Sequence, residues 1–282
     1  MAHKIPLVAV IGSPVAHSKS PMLHGHWLKS YEIAGFYIPI DVSPENFHEV
    51  VQTLPKMGFV GANVTIPHKE AALKFASNAT ARARKVGAAN TLIFDQDGSY
   101  SADNTDGVGF VNNIKEHIPT WSAKQGTTVV LGAGGAARGI LAAVLEEGSE
   151  DIILLNRTRS RAEDLAQEFG PSVRVKDWEE IPSALQHAAT VVNTTSLGMV
   201  GNPELDIDLT PLSRDAVVTD IVYTPLRTGL LKAAEDRGCR TVDGFGMLLH
   251  QAVPGFERWF GIRPQVTAEL RELLLSWASG WD

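Results

Sequence analysis

Cysteine is almost missing from this chain: 282 residues include one, Cys239. An internal disulfide is excluded, and a reducing compartment, the cytoplasm, fits best. Around it, Gly238-Cys239-Arg240-Thr241-Val242 reads as the entry to a buried strand rather than as a reactive thiol. Long apolar runs are lacking too, since no stretch approaches the roughly 18 charge-free residues of a membrane helix. The apolar start, Ile5-Pro6-Leu7-Val8-Ala9-Val10-Ile11, is short, contains proline and ends at Gly12-Ser13-Pro14. It reads as a first core strand, not a signal peptide. Positive charge is in deficit, with 25 Lys and Arg against 32 Asp and Glu and a net charge of -7. That balance gives no support to nucleic acid as a partner. The nine histidines form no cluster with cysteine, and His24-Gly25-His26 lies in a helix where i,i+2 rings face apart, so no metal is expected. There is no nucleophile elbow, internal repeat or low-complexity tract.

What is present points to an α/β protein. A chain of this length, 44% hydrophobic, makes one large or two medium domains with real cores. Its organising stretch is Thr127-Thr128-Val129-Val130-Leu131 running straight into Gly132-Ala133-Gly134-Gly135-Ala136-Ala137. The β-branched run predicts a strand, and the small residues after it predict a turn and a helix. Gly132 permits the tight turn, Gly134 lets the backbone approach a pyrophosphate, and Ala137 lets the helix pack close to the strand. The first-turn N–H groups and the helix dipole then face the phosphates.

A second strand near 151–155 ends where the cofactor is chosen. An NAD site carries an acidic residue there, about 20 residues past the glycines, for the ribose 2′-hydroxyl. This chain has Asn156-Arg157-Thr158-Arg159-Ser160-Arg161 instead. No carboxylate repels a 2′-phosphate, and guanidinium groups can grip one in pairs. Ser160 with Glu163 also makes a capping box, but capping does not account for three arginines at a positive helix end. The expected cofactor is NADP.

In the first half, strands are expected near 7–11, 36–42, 59–65 and 88–94, with helices opening at Ser20-Pro21, Ser43-Pro44 and Pro67. Ser20 is expected as N-cap with Pro21 at N1. Short strand–helix connections imply a mostly parallel sheet. Asp97-Gly98 marks a turn, and 104–107 precedes a helix to about 117 that bridges two domains. The second half continues with strands near 173–175, 190–193, 217–222 and 239–242, and helices near 160–169, 181–187 and 228–237. Beyond Gly246 the periodicity is helical, with a kink expected at Pro254. These last helices have no sheet position left and are expected to return to the first domain. The resulting expectation is a substrate-binding, catalytic domain at 1–106 plus 246–282, a Rossmann-like NADP domain at 107–245, and a cleft between them.

Several polar segments have no use in a core: Ser18 and Ser20, 63–69, 87–91, and Asn104-Thr105-Asp106. In open α/β sheets ligands collect beyond the carboxyl ends of strands, and Thr65, Asn90 and Asp106 each fall at or past such an end. Hydroxyl, amide and carboxylate groups suit a small polyhydroxylated ligand. Oxidising a secondary alcohol requires its proton to leave as hydride moves, and Lys69 with Asp106 to orient it is the pair for that transfer. The structural alternatives are a solvated Lys69 and an Asp106 that caps the helix from Gly107.

Together these motifs resemble the shikimate dehydrogenase family, which reduces 3-dehydroshikimate with NADPH in aromatic amino-acid biosynthesis. The resemblance spans nearly the whole chain, in the blocks 15–21, 63–69, 87–92, 104–109, 132–136, 156–158, 195–199, 220–223 and 244–251. It implies that Ser18 and Ser20 bind the substrate carboxylate, that Thr65, Asn90, Asp106 and Gln251 hold ring hydroxyls, and that Tyr223 closes over the substrate. Lys69 would be the acid–base residue, paired with Asp106. Gly132, Ala133, Gly134, Gly135 and Ala136 would take the pyrophosphate, and Asn156, Arg157, Thr158 and Arg161 the adenosine phosphate end. Ile221 and Gly244 would meet the nicotinamide side through backbone. The chain departs from the family pattern at Ala81, where some relatives carry an acidic residue, and at Pro254-Gly255, inside a helix that is usually continuous.

Two other readings compete: a paralogue acting on quinate or an aminoshikimate, and a non-catalytic sensor of NADP and a cyclic acid. The arginines weigh against NAD-linked quinate catabolism, and the presence of both Lys69 and Asp106 weighs against a retired site. The expected partner is a small-molecule substrate, with no nucleic acid and no membrane; monomer and homodimer both stay open.

Overall fold

The computed structural model of this chain describes residues 5–95 and 97–277. They divide into two compact units, one running to Thr105 and resuming at Leu249, the other covering Asp106–Leu248.

In the first unit, β1 (Leu7–Gly12), β2 (Phe36–Asp41), β3 (Phe59–Val64), β4 (Asn78–Ala79), β5 (Thr91–Phe94) and β6 (Tyr100–Asp103) form one sheet in the order β2-β1-β3-β5-β6-β4. Parallel pairs join β1 to β2, β1 to β3 and β4 to β6, whereas β5 runs antiparallel to β3 and to β6. The turn read at Asp97-Gly98 is the tip of the β5–β6 hairpin. β4 and β6, with two and four residues, are too short to leave a periodic signal. Pro39 sits in β2, an edge strand, where a missing N–H costs no ladder bond. The helices are α1 (Ser20–Ser30), α2 (Phe47–Thr53), α3 (Lys69–Lys74) and α4 (Ala81–Val86). Val51 and Leu54 enter the core, and Gly58 stops the segment in the left-handed conformation.

Ser20 is not the N-cap of α1. That position is Lys19, and Ser20 is the first helical residue. The Ser18 hydroxyl accepts from the Ser20 N–H at 3.3 Å, so an orphan amide is satisfied from outside and the helix starts one residue earlier.

The second unit opens with α5 (Asp106–His117), which includes Asp106 itself rather than starting at Gly107. Its sheet contains β7 (Thr127–Leu131), β8 (Ile152–Leu155), β9 (Val173–Lys176), β10 (Ala188–Asn193), β11 (Val217–Asp220) and β12 (Arg240–Val242), in the order β12-β11-β10-β7-β8-β9 and parallel throughout. Helices α6 (Gly135–Glu146), α7 (Arg159–Phe169), α8 (Ile181–Leu185) and α9 (Gly229–Arg237) connect the strands. Val129 and Leu131 enter one core and Val130 the other, with Ile153 and Leu155 against Ile152 and Leu154 repeating the split. Both faces of the sheet are covered, which is why these strands read as unbroken apolar runs.

After β12 come helix α10 (Phe245–His250), α11 (Ala252–Phe260), whose N-cap is Gln251, and α12 (Ala268–Trp277). The interruption therefore comes before Pro254, not at it. Pro254 is the third residue of α11, within the first turn, where its missing N–H has no helical acceptor to lose. α11 lies on β3 and β5, and the Trp259 indole donates to the Leu92 carbonyl at 2.9 Å.

His24 is fully buried between these layers. Its ring stacks on Tyr37 at 4.1 Å, with Trp27, Phe256 and Trp259 around it, and neither ring nitrogen has a hydrogen-bond partner. The Asn63 side chain is engaged with Tyr37 and Asn90. Burial pushes the His24 pKa down to about 3, with the Asn63 side chain opposing. Since the folded value lies below the unfolded one, protons favour unfolding as pH falls from 6.5 towards 3. Each pH unit in that window removes up to about 1.4 kcal/mol. His24→Phe is expected to hold or raise stability at pH 7 and to flatten this slope, measured by urea unfolding at neutral and mildly acidic pH. Parallel slopes for the two proteins would contradict it.

Candidate functional site

The carboxyl ends of β1 and β3 gather the polar segments of the first unit. The loops after these strands touch: Ser13 N–H donates to the Ile66 carbonyl at 3.1 Å, and Thr65 N–H to the Ile11 carbonyl at 2.9 Å. This places Ser18, Ser20, Thr65 and Lys69 along one edge of the sheet. Lys69 opens α3, and its carbonyl accepts from Ala89 N–H at 2.8 Å, tying the helix start to the segment before β5.

Asn90 reaches that edge by an unexpected route. It does not follow a strand but precedes β5. Because β5 is antiparallel to β3, with Asn63 opposite Thr91, the amino end of β5 lies beside the carboxyl end of β3. There Asn90 Oδ1 accepts from Thr105 N–H (2.9 Å) and the Thr91 hydroxyl (2.9 Å). A backbone N–H can only donate, so the oxygen of the carboxamide must face it, and Nδ2 points to Gln251 Oε1 at 3.4 Å. The Thr105 hydroxyl donates to the Gln251 carbonyl at 2.8 Å and lies 3.1 Å from Asn90 Oδ1.

A second buried chain reaches Ser20. Its hydroxyl lies against the Tyr37 phenol, which donates to Asn63 Oδ1 at 2.6 Å, and Asn63 Nδ2 donates to the Asn90 carbonyl at 3.0 Å. Burial holds the Tyr37 phenol far above its ordinary pKa, with Ser20 opposing, so it stays a donor. Asn63 and Thr105 lie in polar segments that the sequence singles out but gives no role of their own, and Tyr37 leaves no signal there. The candidate partner of Lys69, Asp106, belongs to the second unit and is half-buried at the first position of α5, next in the chain to Thr105.

The second unit holds the glycine turn. Gly132 has φ +106°, and a Cβ there would meet the Thr194 hydroxyl and Thr195 methyl at 2.8 and 2.9 Å. Past it, Cβ atoms added at Gly134 and Gly135 would find nothing within 4 Å, and α6 starts with no side chain bonded to its first amides. An open surface over uncapped N–H groups fits a pyrophosphate. Ala133 N–H donates to Asn156 Oδ1 at 3.2 Å, and Asn156 Nδ2 to the Thr158 carbonyl at 2.8 Å, so Asn156 ties the glycine turn to the end of β8.

The arginine segment divides. Arg159 pairs with Glu163 and with Asp177, both at 2.7 Å. Thr158, not Ser160, is the N-cap, and no side chain caps the helix. The capping box fails because the Glu163 carboxylate takes the guanidinium one turn back, a charged donor preferred over a neutral amide. Arg157, Thr158 and Arg161 are exposed on the same turn. At the far side of the sheet, Gly244 lies against the chain at Ile221: a Cβ would come within 2.4 Å of its carbonyl oxygen. Glycine is required there by close approach. Tyr223 is partly exposed, its ring 5.9 Å from Phe245.

Among the described residues no group of three His, Cys, Asp or Glu could hold a metal ion, and no helix is long and apolar enough to cross a membrane.

Comparison with known proteins covers most of the chain. Residues 10–92 match the shikimate dehydrogenase substrate binding domain, 114–202 the shikimate/quinate 5-dehydrogenase model, and 244–274 the shikimate 5′-dehydrogenase C-terminal domain. A shikimate dehydrogenase (NADP(+)) of Roseobacter denitrificans is 57% identical over 96% of this chain and 98% of its own. Among solved structures, the Thermus thermophilus shikimate 5-dehydrogenase in complex with NADP(H) and shikimate superposes with a TM-score of 0.85 at 32% identity, covering 96% of this chain and 99% of that one. A quinate dehydrogenase from Corynebacterium glutamicum in complex with NAD gives 0.88 at 32% identity, over 96% and 99%.

Proposed function

The chain belongs to the shikimate dehydrogenase family, and from that premise we propose that it interconverts 3-dehydroshikimate and shikimate with NADP. The observation that carries the substrate assignment is the hydrogen-bonded row from Ser20 through Tyr37, Asn63, Asn90 and Thr105 to Gln251. It lines hydroxyl and amide groups along one sheet edge beside Lys69, the polarity a small polyhydroxylated acid requires. The first unit is then the substrate domain and the second the NADP domain.

NADP, when bound, supplies or removes the hydride. Ser18 and Ser20 hold the substrate carboxylate through their hydroxyls, at the start of α1. Thr65, Asn90 and Gln251 orient the ring hydroxyls; the amide of Asn90 is preset because Thr105 N–H fixes which end faces outward. Lys69 Nζ gives its proton to the carbonyl oxygen as hydride reaches the carbon, and recovers one from the hydroxyl in the reverse direction. Asp106 orients the ammonium, and Tyr223 closes over the ligand. The glycine turn takes the pyrophosphate, with Arg157 and Arg161 on the 2′-phosphate. The lone buried thiol, Cys239, suits a reducing cytoplasm.

Initial rates of NADPH formation with shikimate or quinate, each with NADP or NAD, test the reading. Shikimate with NADP is expected to be the best pair. A preference for quinate or for NAD would place the chain with the quinate branch. Cofactor binding without turnover of either acid would leave a sensor.

A further inference from the structure

The carboxyl ends of β10 and β11 are joined by a buried polar cluster that no part of the reaction uses. At its centre Asp220, 1% exposed, accepts three hydrogen bonds. Asn193 Nδ2 and Val222 N–H reach Oδ1, both at 2.9 Å, and the Thr228 hydroxyl reaches Oδ2 at 2.8 Å. Asn193, fully buried at the end of β10, also donates to the Leu197 carbonyl at 3.2 Å and accepts from Thr195 N–H and hydroxyl at 3.0 and 2.7 Å. Thr228 in turn accepts from Leu231 N–H and caps α9. One carboxylate therefore binds the loop after β10, the loop after β11 and a helix start. Val200 N–H to the Thr224 carbonyl, at 2.9 Å, joins the same two loops further out.

Ile221, Val222 and Tyr223 stand between the two anchors, Asp220 and Thr228. Their other side is confined by Gly244, whose backbone admits no Cβ against Ile221. Segment 221–223 is thus held from beneath by the carboxylate and from the side by glycine. We infer that Asp220 is a positioning residue, whose clip on Asn193, Val222 and Thr228 holds segment 221–223 in the shape that receives the nicotinamide end of the cofactor. The inference rests on the reading of the second unit as an NADP domain whose nicotinamide side lies at Ile221 and Gly244. An ionised group is a costly choice for this place: burial pushes the Asp220 carboxyl up to about 6, opposed by the bonds from Val222, Thr228 and Asn193. An amide of the same shape would bury more easily but cannot accept on both ends at once. With the carboxylate, Oδ2 accepts from the Thr228 hydroxyl while Oδ1 takes the two fixed donors; with an amide the hydroxyl must turn and accept instead.

Asp220→Asn tests this, with Thr228→Val attacking the same clip from the other side. Both are measured as full chains for melting temperature, for the dissociation constants of NADPH and of adenosine 2′,5′-bisphosphate, and for kcat and KM with shikimate. The bisphosphate reports the adenosine end alone. Asp220→Asn is expected to melt at or above the wild-type temperature and to keep the bisphosphate affinity. NADPH binding should weaken about tenfold, the effect of losing one charge-assisted hydrogen bond, and kcat should fall with little change in the shikimate KM. Thr228→Val should weaken NADPH selectively as well, and it decides the matter if Asp220→Asn does not fold. Equal losses of NADPH and bisphosphate affinity, or no loss of either, would overturn the inference. Failure of the wild type to bind NADPH would remove the underlying reading, and this inference with it.

Discussion

Lys69→Ala is expected to cut kcat for shikimate oxidation by about 10²- to 10⁴-fold, the usual worth of a positioned general acid–base. Shikimate should still bind, because Ser18, Ser20, Thr65, Asn90 and Gln251 remain, and Thr105 bonds both Asn90 and Gln251. NADPH absorbance follows the rate, and calorimetry with shikimate alone follows binding. Asp106→Asn should lose turnover in the same direction, and adding it to Lys69→Ala should cost little more if the two act as a unit. A variant with unchanged kcat and only a raised KM would make Lys69 a binding residue and return the proton to another group.

The double change Arg157→Ala with Arg161→Ala is expected to raise the NADP KM by about 10²-fold or more, with the NAD KM nearly unchanged. Each guanidinium bonded to a phosphate contributes roughly 1.5–3 kcal/mol. Arg159→Ala is the internal control. Its guanidinium is tied to Glu163 and Asp177, so it should leave the NADP KM almost untouched and lose only exposed ion pairs. The NADP effect should shrink as salt rises, since these charges are exposed. Equal losses for NADP and NAD would mean that the segment shapes the adenosine pocket without reading the 2′-phosphate.

The strand at 127–131 and the small residues after it were legible because a parallel strand covered on both faces must be apolar at every position, and a chain turning into a helix under a pyrophosphate must lack side chains. The arginines were visible as a type, but their division was not. Which of three neighbouring guanidinium groups is consumed by Asp177 depends on where the end of β9 places that carboxylate, 18 residues downstream of Arg159. Ser20 was placed one position out at the α1 start, since Ser18 supplies the missing acceptor. The break near Pro254 was correctly sensed and displaced by three residues, to Gln251.

By itself the sequence determined an α/β chain with a dinucleotide turn, a single thiol and a set of polar segments at strand ends. Those follow from local rules, in which a residue type at a given spacing has one plausible backbone. Tertiary structure alone decided how the segments meet. The antiparallel insertion of β5 carries Asn90 to the carboxyl end of β3, although it lies before its own strand. Thr105 spans 146 residues of chain to reach the Gln251 carbonyl. Asp220 and Asn193, given no role at the ends of two apolar strands, close a cluster across neighbouring β10 and β11. His24 lies unbonded among aromatic rings drawn from α1, β2 and α11. Each of these rests on a contact between residues far apart in the chain, and hydrogen-bond direction and burial become defined only once the partner has a position.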